Sequence, residues 1–204
     1  MKTPKIDWKK NAGLVPAVVQ DAATLQVLML GYMNAAALRQ TLRTRKVTFF
    51  SRSKQRLWTK GETSGHFLRL VSVAVDCDND TLLVMAHPDG ATCHRGTVSC
   101  FGDRGASGVG FLAHLDQVVA GRLKSGDPSS YTVRLVKEGI ARVAQKVGEE
   151  GVETALAALQ NNSREFAGEA ADLLYHLIVL LQAKKMSLAD AIAVLEKRHA
   201  PKKK

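Results

Sequence analysis

Three aspartates surround a cysteine in Asp76-Cys77-Asp78-Asn79-Asp80, and the two remaining cysteines, Cys93 and Cys100, follow in ATCHRGTVSCF. Carboxylate oxygens are hard donors suited to Mg²⁺, whereas thiolates are soft donors suited to Zn²⁺. While the strand entering this segment stays extended, alternate side chains face opposite ways. Asp76 and Asp78 then point to one side, and Cys77 to the other with Val71, Val73 and Val75. Three thiolates and one water make a catalytic Zn²⁺ site, in which the water ionises near pH ~7. No C-x-x-C knuckle is present. The D-x-D-x-D spacing also lacks the Gly and the distal Glu of a calcium loop, so a polar turn competes with a metal site. His94, adjoining Cys93, is a candidate general base or substrate contact. His66, His87, His114 and His199 read as surface or packing histidines.

A second constellation lies in the other half. QKVGEEGVETALAAL holds Glu149, Glu150 and Glu153, and EAADLLYH holds Glu169 and Asp172 with His176 one turn beyond. On a helix, residues three or four apart share a face, so Glu153 neighbours both earlier carboxylates. Like charges repel unless a cation sits among them. Two such helices face to face would gather carboxylates around Mg²⁺. Solvated acidic faces are the bland alternative, weakened because Glu169 and Asp172 lie in an otherwise apolar run. Lys137, Arg142 and Lys146 precede the acidic set and suit a polyphosphate. Gly151, in a predicted helix interior, costs about 1 kcal/mol relative to Ala.

The third cluster, SRSKQRLWTKGETSGH, packs Arg52, Lys54, Arg56 and Lys60 among Ser, Thr and Gly. Cations, hydroxyls and glycines that admit an anion to backbone N–H groups make a phosphate-binding loop. An ordinary basic hairpin loop is the alternative, and Trp58 either stacks on a base or fills the core.

The elements that must position these groups change period midway. Leu25–Leu30, Val47–Phe50, Phe67–Asp76 and Thr81–Ala86 are β-rich runs bounded by turn residues. One helix interrupts them after the N-cap Asn34. From Phe111 onward, apolar residues recur at helical spacing in four stretches, the last opened by the capping-box sequence Ser187-Leu-Ala-Asp190. Gly102–Gly110, with no apolar periodicity, reads as a linker. This predicts two domains: an N-terminal α+β, mainly β, domain over 1–102 and a C-terminal all-α helical bundle over 111–204, joined by 103–110.

Composition bounds what these domains do. A hydrophobic fraction of 46% supplies a core and excludes a disordered chain. The longest apolar stretch, Leu173–Leu181, is shorter than the ~20 residues that span a bilayer. No apolar segment follows the N-terminal lysines, so no secretory signal is read and a cytoplasmic protein is expected. The net charge of +10 fits a phosphate-binding surface, whether nucleic acid or a phosphorylated small molecule. The surplus falls mainly on the first half.

LQVLMLGYMN, SRSKQRLWTKGETSG, VDCDND and CHRGTVSCF, in this order, resemble the phosphoribosyl-AMP cyclohydrolases of histidine biosynthesis, over about residues 6–102. The resemblance implies a zinc-bound hydroxide attacking the adenine ring of phosphoribosyl-AMP. It implies Cys77, Cys93 and Cys100 as Zn²⁺ ligands drawn from both chains of a homodimer, and Asp76, Asp78 and Asp80 as Mg²⁺ ligands. Ser51, Arg52, Ser53, Trp58, Lys60, Glu62, Thr63, Ser64 and Gly65 would hold the substrate.

Glu-Glu-x-x-Glu followed by Glu-x-x-Asp resembles the all-α nucleoside triphosphate pyrophosphohydrolases. The longer strings SYTVRLVKEGIARVAQKVGEEGVETALAAL and EAADLLYHLIVLL are similar to phosphoribosyl-ATP pyrophosphatase in particular, over about residues 111–198. The implied reaction is Mg²⁺-dependent attack of water between the α- and β-phosphates. Glu149, Glu150, Glu153, Glu169 and Asp172 would hold the metal, Glu150 or Glu153 would activate water, and Lys137 and Lys146 would bind phosphate. Together these resemblances predict a homodimeric bifunctional hydrolase acting on phosphoribosyl nucleotides, using Zn²⁺ and Mg²⁺, without nucleic-acid or membrane partners. Two rivals remain on sequence grounds: a zinc-stabilised nucleic-acid-binding protein, and a nucleotide house-cleaning pyrophosphohydrolase with an inactive N-terminal domain. With only 5% aromatic residues, the chain is poor in the stacking platforms the first would need.

Overall fold

A computed structural model describes residues 4–10, 12–102 and 105–200. Asp103 and Arg104 of the expected linker, and the terminal Lys202, Lys203 and Lys204, lie outside these residues. The chain divides into two compact units between Phe111 and Leu112.

In the first unit, strands β1 (Val15–Asp21) and β2 (Val27–Met33) form an antiparallel pair. Helix α1 (Ala35–Thr44) follows, then β3 (Thr48–Ser51), β4 (Arg56–Thr59), β5 (Leu68–Val75) and β6 (Leu82–Pro88). The main sheet has the order β2-β1-β6-β5, with β1 and β6 parallel and the outer pairs antiparallel; β3 and β4 make a separate hairpin. Alternation along β1 buries Val15, Ala17 and Val19, which meet Leu82, Val84 and Ala86 of β6 in one core. Asn34 caps α1 by accepting from the Ala37 N–H at 2.8 Å, and Ala37, Leu38 and Thr41 face the core.

Strand β1 is absent from the sequence-based reading because Pro16 interrupts its apolar run; here Pro16 pairs with Tyr32 near the start of the strand, where a missing N–H is tolerated. Strand β4 is likewise hidden inside the basic cluster. The positive φ of Gln55, 49°, closes the β3–β4 turn.

The described residues of the second unit form helices: α2 (Val109–Ser125), which begins just ahead of the boundary, α3 (Tyr131–Lys137), α4 (Ile140–Ala157), α5 (Ser163–Ala183) and α6 (Leu188–His199). Helix α2 starts inside the stretch read as linker. Val119, Leu135, Val143, Ile178 and Val179 form the core. Among the described residues five helices replace the four expected, because the chain breaks at Gly139, whose φ of 106° suits glycine and separates α3 from α4. Asp190 accepts from the Ser187 N–H at 2.7 Å, so the capping box at α6 forms as its sequence predicts. Although Leu173–Leu181 is shorter than a span, the 21-residue α5 that contains it is long and apolar enough to cross a membrane by length and composition. Val152 and Leu156 of α4, Phe166, Leu174 and Leu177 of α5, and Ile192 and Leu195 of α6 are exposed.

Candidate active sites

Cys93 and Cys100 line one cavity of about 620 Å³ in the first unit, with Trp58, Lys60, Glu62, Thr63, Ser64 and His94 in its wall. Half of this wall comes from the β3–β4 hairpin and the segment after it, and most of the rest from residues 91–100. Trp58 is fixed by stacking on Phe49, with centroids 5.7 Å apart. Gly61 has a φ of 89°, and a side chain there would run into the His66 backbone, so the turn demands glycine. Lys60 is buried, its ammonium 3.4 Å from the His66 carbonyl oxygen. Burial lowers its pKa, against the raising effect of the Cys100 and Cys93 sulfurs. Burial also raises the Cys100 thiol, while a hydrogen bond from the Arg95 N–H leads the effects that lower Cys93. Two sulfurs of one cavity beside a buried ammonium are a soft-metal donor pair.

The remaining residues of the basic cluster divide. Ser51, Lys54 and Arg56 line a smaller cavity of about 210 Å³ that Trp58, Glu62 and Thr63 share. Arg56 and Glu62 are ion-paired at 2.6 Å. Arg52 lies over the Tyr32 ring, 3.8 Å from its centroid, and borders a further cavity with Asp80 and Thr81. Ser53 touches Ser51, 3.4 Å between hydroxyl oxygens, and Gly65 closes the turn through its N–H to the Gly61 carbonyl. His66 and Thr92 also line the main cavity. From the sequence His66 reads as a surface or packing histidine; its place directly after the basic turn was the available signal. The buried Thr92 hydroxyl has no hydrogen-bond partner among the described residues.

Asp76-Cys77-Asp78 does not continue the strand, contrary to the expectation of alternating side chains. Strand β5 ends at Val75, and its register slips around Val71, so Val71, Val73 and Val75 do not share a uniform face. A turn follows, with Asn79 at φ 64° and the Asp80 and Thr81 N–H groups donating to Asp76. The Thr81 N–H chiefly holds the Asp76 carboxyl below its usual pKa. This turn, rather than strand alternation, brings carboxylate oxygens of Asp76, Asp78 and Asp80 within 4.8 Å of one another. Lys10 pairs with Asp78 at 2.8 Å. Cys77 is exposed and does not line the cavity of Cys93 and Cys100.

In the second unit, α4 and α5 bring carboxylate oxygens of Glu150, Glu169 and Asp172 within 4.8 Å of one another. Glu150 is buried, its Oε1 2.7 Å from Lys146 Nζ. Desolvation, followed by the charges of Glu153, Glu150 and Asp172, raises the Glu169 pKa. Glu153 is exposed beside this group. Glu149 turns instead to Lys146, at 2.9 Å, and to Arg142, at 3.5 Å; the Lys146 contact leads in lowering its pKa. Lys137 is exposed in the last turn of α3. The buried His176 connects the cluster to Tyr131, a contact that spacing alone did not disclose.

A β-rich unit with a thiol-lined cavity, followed by a helical unit with converging carboxylates, has the layout of a two-domain hydrolase. The family model for phosphoribosyl-AMP cyclohydrolase matches residues 29–102, and that for phosphoribosyl-ATP pyrophosphohydrolase matches residues 112–199. Proteins named histidine biosynthesis bifunctional protein HisIE from Salmonella typhimurium and Escherichia coli are 59% identical to the chain over 196 residues, 96% of this chain and of each relative. A relative of that name from Xylella fastidiosa is also 59% identical, over 96% of this chain and 94% of its own. The chain belongs to this bifunctional HisIE family. Full-length similarity across both domains disfavours the nucleic-acid-binding and house-cleaning alternatives.

Proposed function

We infer that the chain catalyses two consecutive hydrolytic steps of histidine biosynthesis. The C-terminal domain cleaves phosphoribosyl-ATP to phosphoribosyl-AMP and pyrophosphate, and the N-terminal domain then opens the adenine ring of phosphoribosyl-AMP. The observation that carries this reading is the presence, in one chain, of a thiol-lined cavity in one family domain and a carboxylate cluster in the other.

The donor sets fit Zn²⁺ and Mg²⁺. Cys93 and Cys100 would hold zinc with Cys77 of the partner subunit, a reading supported by the exposure of Cys77 away from that cavity. Asp76, Asp78 and Asp80 would hold magnesium in the same domain, and Glu150, Glu169 and Asp172 in the other, with Glu153 beside them. When bound, zinc supplies hydroxide at neutral pH and magnesium neutralises phosphate charge. Trp58 would stack on the base, while Lys60, Thr63 and Ser64 orient the nucleotide and His94 moves a proton at the ring. Ser51, Lys54 and Arg56, in the adjoining cavity, suit a phosphate. In the second domain Lys137 and Lys146 would bind phosphate, and Glu150 or Glu153 would orient water. The exposed apolar residues of α4, α5 and α6 support burial of this face in a homodimer. A cytoplasmic location fits the soluble nucleotide substrates.

Pyrophosphate release from phosphoribosyl-ATP and ring opening of supplied phosphoribosyl-AMP, each followed while zinc and magnesium are varied, test the reading. Cys93→Ala abolishes ring opening alone and Glu150→Gln abolishes pyrophosphate release alone. Loss of both activities in either variant refutes two independent sites.

A further inference from the structure

The lysine that the proposed function gives to phosphate is held by one carboxylate that function gives to the metal, Glu150, and by its neighbour Glu149. Lys146 Nζ lies 2.7 Å from Glu150 Oε1 and 2.9 Å from Glu149 Oε2. Sequence spacing produces this grip, since Glu149 and Glu150 stand three and four residues beyond Lys146 on α4. Glu150 is buried and its side chain contributes to the three-carboxylate group with Glu169 and Asp172. Whichever Glu150 oxygen a divalent cation takes, an ammonium on the same carboxylate lies at a repulsive distance, in a partly desolvated site where screening is weak. Lys10 meets Asp78 in the first domain at a similar distance, but both those side chains are well exposed, so solvent screens that pair far more.

We infer that Lys146 competes with the divalent cation for Glu150, so that this lysine sets the metal affinity of the second domain and becomes available to polyphosphate when metal displaces it. Glu149 gives the displaced ammonium a resting place. Arg142 and Gln145 hold the other oxygen of Glu149, Oε1, the latter at 2.8 Å, which leaves Oε2 to the lysine and tethers it beside the cluster. The cation handover links metal binding to substrate binding: metal entry neutralises the carboxylates and releases a positive charge toward the incoming phosphates. The inference rests on the metal role proposed above for Glu150, Glu169 and Asp172.

Manganese titration of the full-length protein without nucleotide, read by the electron paramagnetic resonance of free Mn²⁺, tests it. Wild type, Lys146→Met and Lys146→Arg are each compared with and without Glu169→Gln, and the Glu169-dependent binding isolates the second-domain site from those of the first. Lys146→Met tightens that component about tenfold while lowering kcat/KM for pyrophosphate release, since the competing charge is gone. Lys146→Arg, which keeps the charge, stays near wild-type affinity. A lysine that serves only substrate binding lowers kcat/KM without tightening metal. Unchanged or weaker Glu169-dependent binding in Lys146→Met therefore overturns the inference. Should circular dichroism show that this variant is unfolded, Lys146→Gln carries the same expectation and the same refutation. Absence of any Glu169-dependent binding, in wild type and variants alike, instead overturns the metal role of the cluster itself and the inference with it.

Discussion

His176 Nδ1 lies 3.5 Å from Glu150 Oε1, which joins a buried imidazole of α5 to a buried carboxylate of α4. The same nitrogen is 3.0 Å from the Asp172 carbonyl oxygen. Both neighbours are acceptors, so Nδ1 carries a hydrogen toward them. Nε2 lies 3.2 Å from the Tyr131 hydroxyl. The imidazole thus connects α3, α4 and α5 behind the carboxylate cluster.

Removing that connection weakens one activity only. His176→Phe lowers pyrophosphate release by about 10–100-fold, in the range typical of groups that orient metal-binding residues. His176→Asn, whose amide restores a donor near Nδ1, recovers part of the loss. Ring opening stays at wild-type rate in both. Equal loss in Phe and Asn variants would show that the polar contacts of Nδ1 do not matter.

The shared zinc site makes a prediction about mixtures. Cys77→Ala and Cys93→Ala homodimers are each inactive in ring opening. Unfolded together and refolded, they pair at random, and one site of each mixed dimer keeps all three thiols. Recovery to about a quarter of wild-type ring opening follows from that pairing. No recovery, once mixed dimers are demonstrated by mass spectrometry, rules out ligands drawn from both chains.

Gly31 lies directly beneath the Phe49 ring, where an added Cβ would collide with the aromatic carbons. Phe49 in turn supports Trp58 in the cavity wall. Gly31→Ala destabilises the first domain by about 1–3 kcal/mol, measured by urea unfolding, through overpacking. It also raises the KM of ring opening more than it lowers kcat, because the displaced stack moves a substrate-facing residue. Pyrophosphate release is unaffected.

Asp190 accepts from the Ser187 N–H and hydroxyl, at 2.7 and 2.8 Å, and the N–H is the leading cause of its lowered pKa. A depressed folded-state value stabilises the fold above the ordinary aspartate pKa of 3.8, and this contribution vanishes as pH falls through the folded-state value. Asp190→Asn therefore lowers the thermal midpoint of the helical domain at pH 7, and the gap to wild type closes below pH 3.8. A gap independent of pH would assign the effect to the cap's shape rather than to its charge.

Local chemistry wrote much of this protein into its sequence. Asn34 and Ser187 announce their helices through caps that need only neighbouring N–H groups, and the period of the apolar residues separates strands from helices. The motif strings carry both catalytic domains because the chemistry needs those residue types in that order. Other features depend on partners distant in sequence. Pro16 disguises β1, whose pairing with β2 and β6 makes it a strand. Asp76, Asp78 and Asp80 converge because the Asp80 and Thr81 N–H groups fold the turn onto Asp76, a geometry strand alternation cannot express. Helix spacing places Lys146 beside Glu149 and Glu150, but only the packing of α4 on α5 buries Glu150 and sets Glu169, Asp172 and His176 around it. Residue type and spacing determined which groups are available; desolvation and approach across elements decided which of them act together.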